Sequence, residues 1–309
     1  MDTLLVPVQI LLMLFFAPLV QGVIKTSKAR WQMRHGPGVL QPYRDIAKLL
    51  SRESVQSDKA SWIFTLAPVV YAAALMSAAV LIPTISERSA VTGIADAILF
   101  VSLLALGRFA LALAGLDTAS NFGGMGSSRE VTFSALIEPA IMLVIFAIAL
   151  PIGSTNLTAM AGADIAAVAK ILAFGALLIA TITETGRVPI DNPDTHLELT
   201  MIHEGMILEY SGRPLGILHW ATQVKQLAFL SLLAAIFIPW GMADAGDHSI
   251  SALGVGLGAF TIKVVVLGLL LGVIETSVAK LRMFKAPDLI GFASVLGVLA
   301  VLASYVVER

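Results

Sequence analysis

The chain has no cysteine among its 309 residues. Disulfides, thiolate catalysis and thiolate-held zinc or iron–sulfur clusters are therefore excluded from it. If electrons are involved, another polypeptide carries them. Charge is also scarce. Asp, Glu, Lys and Arg make up 13% of the chain, against about 25% in soluble domains. The net charge of −1 supplies no overall field for nucleic acid. The start lacks a charged leader region and a small-residue cleavage site, so the first apolar run reads as a retained span rather than a signal peptide. What is abundant is apolar surface, at 57%. Too few polar residues remain to coat a soluble globule, and the class is polytopic membrane protein.

A bilayer core needs about 20 apolar residues in helical form. Eight stretches qualify, at 4–24, 63–82, 94–115, 131–151, 165–183, 221–241, 250–274 and 288–307. No alternating pattern suggests a lipid-facing barrel. The expectation is one all-α membrane domain over 1–309 with about eight transmembrane helices. Long connections occupy 25–61 and 184–220, and a Gly-rich one occupies 116–130. The 25–61 loop carries Lys25, Lys28, Arg30, Arg34, Arg44, Lys48, Arg52 and Lys59. Arg129, Arg187, Arg213, Lys280, Arg282 and Lys285 fall on the same side, and the opposite loops hold only Arg88. The positive-inside bias places the long loops in the cytoplasm and both termini outside. Within the first loop, 41–53 reads as a short amphipathic helix suited to the membrane interface. Ile46, Leu49 and Leu50 lie on one face, and Arg44, Asp45, Lys48 and Arg52 on the other.

Several charges fall inside predicted spans: Arg108, Glu138, Lys170 and Lys263. Glu184, Glu275 and Lys225 sit near cytoplasmic span ends. Four uncompensated mid-bilayer charges would cost about 10 kcal/mol. They must pair, snorkel, or line a hydrated cavity. Glu and Lys groups at mid-depth suit a proton relay, because desolvation and opposite charges tune their protonation.

The segment ETGRVPIDNPDTHLELTMIHEGMILEYSG (184–212) is rich in carboxylates: Glu184, Asp191, Asp194, Glu198, Glu204 and Glu209. Glu184 and Arg187 are spaced to pair if the fifth span continues. Pro189 and Pro193 break it, and a helix from Thr195 would put His196 and His203 on one face. A metal site on His196, Glu198, His203 and Glu204 is weakly supported, since His203-Glu204 lacks a second His at zincin spacing. A solvated acidic loop, a partner-docking surface and a proton-capturing cluster with shared titration all remain open.

These residues carry a resemblance. ETGRVPIDNP followed by LEL and EYSG resembles the loop between spans 5 and 6 of the NADH dehydrogenase subunit 1 family of complex I. That family also includes the membrane subunit of energy-converting nickel–iron hydrogenases and of formate hydrogenlyase. RHGPGVLQPYRDIAKLLSRESV (34–55) is similar to its first cytoplasmic loop, and GLDTASNF, SSRE and IFIPWG add matches. Complex I members carry a longer Gly-Pro-Asn-Arg-Val-Gly-Pro-x-Gly before Leu-Gln-Pro. Here Gly36-Pro37-Gly38 leads straight to Leu40-Gln41-Pro42, which resembles the hydrogenase branch.

The resemblance implies a prokaryotic cytoplasmic (inner) membrane subunit that anchors a soluble arm and couples its chemistry to proton or sodium movement. The implied partners are hydrogenase-like large and small subunits, an iron–sulfur protein and antiporter-like membrane subunits. Iron–sulfur clusters and a nickel–iron centre would lie in those partners, with no catalytic centre and no metal in this chain. Quinone is left open. The resemblance brings Arg129, Glu138, Glu184, Arg187, Asp191, Glu198 and Glu209 into an expected proton path, and the reading of charges in and beside the spans adds Arg108, Glu204, Lys263 and Glu275. Of these, Arg129 and Glu138 match the family's Arg and span 4 Glu. The implied soluble-arm interface takes in Arg34, Gly36, Pro37, Gln41, Tyr43, Arg44, Asp45 and Lys48. One departure is His196, where relatives have a Glu-Ala-Glu-x-Glu-Leu carboxylate; the loop then runs about three residues longer before Glu209. Two further readings stay open. One is the corresponding subunit of respiratory complex I (NADH:quinone oxidoreductase), whose loops would frame a quinone chamber. The other is a stand-alone secondary transporter.

Overall fold

In lipid, backbone N–H and C=O groups have no water to bond, so an apolar segment satisfies them internally as a helix. The computed structural model describes residues 2–86, 91–192, 201–243 and 249–307. Its helices are α1 Asp2–Trp31, α2 Gln41–Leu50, α3 Trp62–Val80, α4 Ala97–Asp117, α5 Asn121–Ile152, α6 Leu157–Met160, α7 Ala167–Glu184, α8 His203–Ile207, α9 Gly212–Phe237, α10 Ile250–Ser277 and α11 Ala286–Val307. Eight of them (α1, α3, α4, α5, α7, α9, α10 and α11) are long and apolar enough to cross a membrane. The remaining short ones cap or connect them.

α9 is the central post. From Leu227 onward it is apolar nearly all round, as a helix segment buried on every side must be, and it packs against α1, α3, α7 and α10. α4 joins α3 to α5, and α11 closes the ring against α5 and α7. Four connections gather at one end, here called the loop face. They are bonded to one another: Ser211 Oγ to the backbone of Val55, Asp117 to the N–H groups of Ser61 and Phe64, and Leu281 N–H to Pro189 O.

Sequence expectation and structure part at the loop-side ends of two helices. The Gly-rich 116–130 stretch is mostly helix, because α5 starts at Asn121 and runs 32 residues. Its glycines bring backbones together instead of breaking the helix. A Cβ on Gly123 would stand 2.4 Å from Gly115 O, and one on Gly126 would stand 2.9 Å from Ile202 O. Helix α9 likewise starts nine residues before the expected span, at Gly212 rather than 221.

Helix-interior prolines free a carbonyl one turn back, and aromatic donors meet two of them. Pro18 leaves Leu14 O, which accepts Trp220 Nε1–H at 2.9 Å. Pro68 leaves Phe64 O, which accepts the Tyr210 hydroxyl at 2.8 Å. Tyr210 also stacks on Phe64, with ring centroids 3.9 Å apart. α2 covers the first ten residues of the stretch expected as a helix at 41–53 and ends at Leu50. It packs Leu49 and Leu50 over Gly216 of α9, and the Tyr43 hydroxyl donates to Phe15 O of α1.

Candidate functional site

Glu184 ends α7 and is buried where α4, α5, α7 and α9 meet. Its Oε1 accepts from Arg108 of α4, and its Oε2 faces Lys225 Nζ of α9 at 3.0 Å. Arg108 uses its other terminal nitrogen on Glu138 of α5. Lys225 is 1% exposed. Each charge therefore sits beside an opposite one, which is what makes ionised groups tolerable inside a bundle.

Just beyond Glu184 the chain makes a Schellman turn. Gly186 takes φ +59, its N–H bonds Thr183 O, and Arg187 N–H bonds Ile182 O. That turn swings Arg187 away, so the expected Glu184–Arg187 pair does not form. Arg187 instead reaches Glu275 of α10 at 2.5 Å, Gln21 of α1 at 2.5 Å and Gln226 of α9 at 2.5 Å. Lys28 joins Glu275 at 3.1 Å. A second ionic knot thus ties α1, α9 and α10 to the turn after α7.

Asp191 is buried and organises the rest of the loop. Its Oδ2 accepts the N–H groups of Ile202 and His203, both at 3.2 Å, and its Oδ1 lies 3.5 Å from Lys280 Nζ. Arg129 donates to Met201 O at 2.9 Å. Met201, Ile202, Met206, Ile207 and Tyr210 are buried. In its described part, then, this segment is a plug seated on the bundle and not a solvated acidic loop. Asp194, His196 and Glu198 lie outside the described residues, as does the helix expected from Thr195 up to residue 200; the described helix starts at His203. Glu209 is exposed. Among the described residues, no group of three or more His, Asp or Glu side chains is placed to hold a metal.

Two openings flank the charged cluster. A polar vestibule of about 260 Å³ lies between α1, α9 and the plug, walled by Gln21, Lys25, Arg187, Asp191, His203, Glu204, His219, Thr222, Gln223 and Gln226. Burial pushes the His203 imidazole down to about 3, helped by Lys225 and His219 and opposed by Glu184, so the ring is neutral near pH 7. The second opening, about 310 Å³, is a lateral cleft between α4 and α5 lined by Arg108, Glu130, Ser134 and Glu138. The Glu138 side chain is 37% exposed there.

Glu130 is a member the sequence reading missed. It lines both the cleft and the small pocket beside Glu184 and His203. The signal was its place one residue after Arg129, hidden because 116–130 read as loop. Lys225 was noticed as a span-end charge but lies at the heart of the cluster. Lys263 is not joined to it: its ammonium sits 5.0 Å over the Trp240 ring. Lys170 is in the first turn of α7, 3.9 Å from exposed Asp164, and stands apart too.

Of the expected arm-facing residues, Arg34, Arg44, Asp45 and Lys48 are exposed on the loop face. Gln41 donates to Asp45 at 2.8 Å. The backbone of the 36–39 strap lies on α1: Thr26 bonds Pro37 O at 2.8 Å, and a Cβ on Gly36 would stand 2.7 Å from Ala29 Cβ. Tyr43 is held by the α1 backbone through its hydroxyl.

With this geometry in view, comparisons with known proteins agree along the whole chain. Residues 4–307 match the family model described as NADH dehydrogenase. Formate hydrogenlyase subunit 4 of Escherichia coli (strain K12) is 35% identical over 285 residues, covering 91% of each chain. Hydrogenase-4 component C of the same organism is 35% identical over 281 residues, covering 89% of this chain and 87% of the relative. A chain in the solved structure of an archaeal respiratory membrane complex, the membrane-bound sulfane sulfur reductase, superposes with a TM-score of 0.83 at 18% identity. The superposition covers 98% of this chain and 99% of that one. The fold is thus shared with a subunit of a respiratory membrane complex. The chain belongs to the NADH dehydrogenase family, in the branch of multi-pass membrane subunits known as subunit 1.

Proposed function

We propose that this chain is the membrane-anchor and proton-path subunit of an energy-converting complex of the hydrogenase or formate-hydrogenlyase type. The reading rests on one observation above all. Two ionic knots stand between the vestibule at the loop face and the lateral cleft: Glu275 with Arg187, which lines the vestibule, and Lys225, Glu184, Arg108 and Glu138, of which Arg108 and Glu138 line the cleft beside Glu130. The 35% identity to two hydrogenase-type subunits over nine-tenths of the chain supports the same branch.

In this reading the loop face is cytoplasmic and the membrane is the prokaryotic inner membrane. Arg34, Arg44, Asp45 and Lys48 meet a soluble arm of hydrogenase-like and iron–sulfur subunits. The clusters, and any nickel–iron centre, belong to that arm. This cysteine-free chain supplies no redox group. A change of charge in the arm shifts the shared protonation of Asp191, Glu204 and the buried cluster, with Glu198 and Glu209 as further acidic members. Protons then leave sideways through Glu130 and Glu138. A carboxylate facing lipid would cost about 2.5–3.5 kcal/mol. An antiporter-like membrane partner covering the cleft removes that cost and receives the proton. Lys263 and Lys170 take no part in the path.

Membership of respiratory complex I is less favoured. A quinone needs an apolar sleeve for its ring and tail, whereas the vestibule wall is made of Gln, Thr, Lys, Arg, His, Asp, Glu and Gly among the described residues. These residues do not fit a quinone. Purification of the tagged chain from its native membrane, with partner identification and metal analysis, tests the reading. Nickel with a hydrogenase-like subunit and antiporter-like chains is expected. Iron without nickel beside an NADH-oxidising module would replace it with complex I. A lone polypeptide that moves a solute would leave a transporter.

A further inference from the structure

Two cavities of this chain meet at one side chain. The polar vestibule and the small pocket beside Glu130 and Glu184 share the walls Gly186, Asp191 and His203. Gly186 offers no side chain. Asp191 is committed, with its oxygens taken by the N–H groups of Asn192, Ile202 and His203 and by Lys280. The imidazole of His203 is what remains between the two spaces. Its backbone is pinned by Asp191, its ring lies 6.4 Å from that of Tyr71, and its Cβ is 3.6 Å from the position a Gly186 Cβ would take. The vestibule side is built for solvent. Gln226, 4% exposed, turns Oε1 to Arg187, and its Nε2 meets no hydrogen-bond partner among the described residues. A buried amide donor of that kind calls for water.

A neutral imidazole carries one N–H and one bare nitrogen. It can take a proton on one nitrogen and give up the proton on the other, and its charge is unchanged at the end. Burial, Lys225 and His219 keep the ring in this neutral form.

We infer that His203 is the relay that passes protons between the vestibule and the buried carboxylates Glu184 and Glu130. Vestibule water delivers a proton to the outer ring nitrogen. The inner N–H proton goes to the carboxylate side, and a ring flip restores the starting tautomer. This step rests on the proton-path reading above, and it adds a gate where that path begins.

The test uses the intact complex in liposomes, turned over by whichever electron donor the purified complex oxidises. His203→Ala and His203→Phe are compared with the unaltered chain at matched electron flux. Both should slow proton movement about 10-fold or more, as loss of a positioned proton-transfer group does. Added 4-methylimidazole should restore His203→Ala, whose vacated site opens to the vestibule, and leave His203→Phe unchanged. If His203→Ala does not assemble, His203→Gln serves, with slowed proton movement in a complex of normal subunit content. Proton movement by His203→Phe at the unaltered rate would overturn the relay. So would failure of the imidazole to restore any rate to an assembled His203→Ala. An unaltered complex that moves no protons would overturn the proton-path reading together with it.

Discussion

Arg108 holds two carboxylates at once, Glu138 in the lateral cleft and Glu184 in the core, and Lys225 shares the second. Removing one member of a buried pair strands its partner, which costs about 3–5 kcal/mol, whereas removing both with shape kept is far milder. Lys225→Met should therefore lower the detergent melting temperature clearly, and Lys225→Met with Glu184→Gln should recover much of the loss. Equal melting temperatures for the single and double variants would show the pair to be uncoupled. His203 gives a pH prediction. Its folded value, about 3, lies below the usual 6.5. Between those values the unfolded chain binds the extra proton, so stability rises with pH there and is lost as pH falls from about 6.5 toward 3. His203→Gln should lose less stability than the parent between pH 7 and pH 5, as read from melting curves. The charges themselves were legible in the sequence, because ionisable residues in apolar runs stand out. Their partners were not: Glu184 and Arg187 are three apart and look like a pair, yet the Gly186 turn sends them to different knots.

At the scale of helices, close approach and carbonyl capping decide the geometry. Pro68 opens α3, and Tyr210 from the plug closes it. Tyr210→Phe leaves Phe64 O buried without its donor, a loss of about 1–3 kcal/mol. Pro68→Ala in the same chain should restore stability, since residue 68 regains an N–H for that carbonyl. If the second change does nothing, the hydroxyl is not there for the proline. The plug also depends on the glycines of α5. Gly126→Leu places side-chain atoms where Ile202 O and Met206 N now lie, 2.9 and 3.1 Å from a Cβ. Limited proteolysis should then cut near 201–207 faster than in the parent. Span positions were readable because bilayer thickness sets the length of an apolar run. The loop-side ends of α5 and α9 were not, because glycine marks either a break or a contact and only the neighbour tells which.

For the whole molecule, the lateral cleft is the feature that asks for another protein. Under the proposed function, Glu138→Gln should leave electron transfer in the partner arm active while lowering protons moved per electron, read as fluorescence quenching in sealed vesicles. An unchanged ratio would remove Glu138 from the path. The sequence by itself determined the environment, the number of spans and the residue inventory. A chain with 13% charge and no cysteine has only lipid to bury itself in and no thiolate to hold a redox centre. It also determined the family, since contiguous loop motifs survive as strings. Only the tertiary structure decided which charges lie together, that Glu130 and Lys225 are among them and Lys263 is not, and that His203 lines two cavities. Those facts depend on residues far apart in the chain, such as Arg187 and Glu275, 88 positions apart, being brought within 2.5 Å by helix packing. Periodicity along one segment carries no information about which face of a distant helix it will meet.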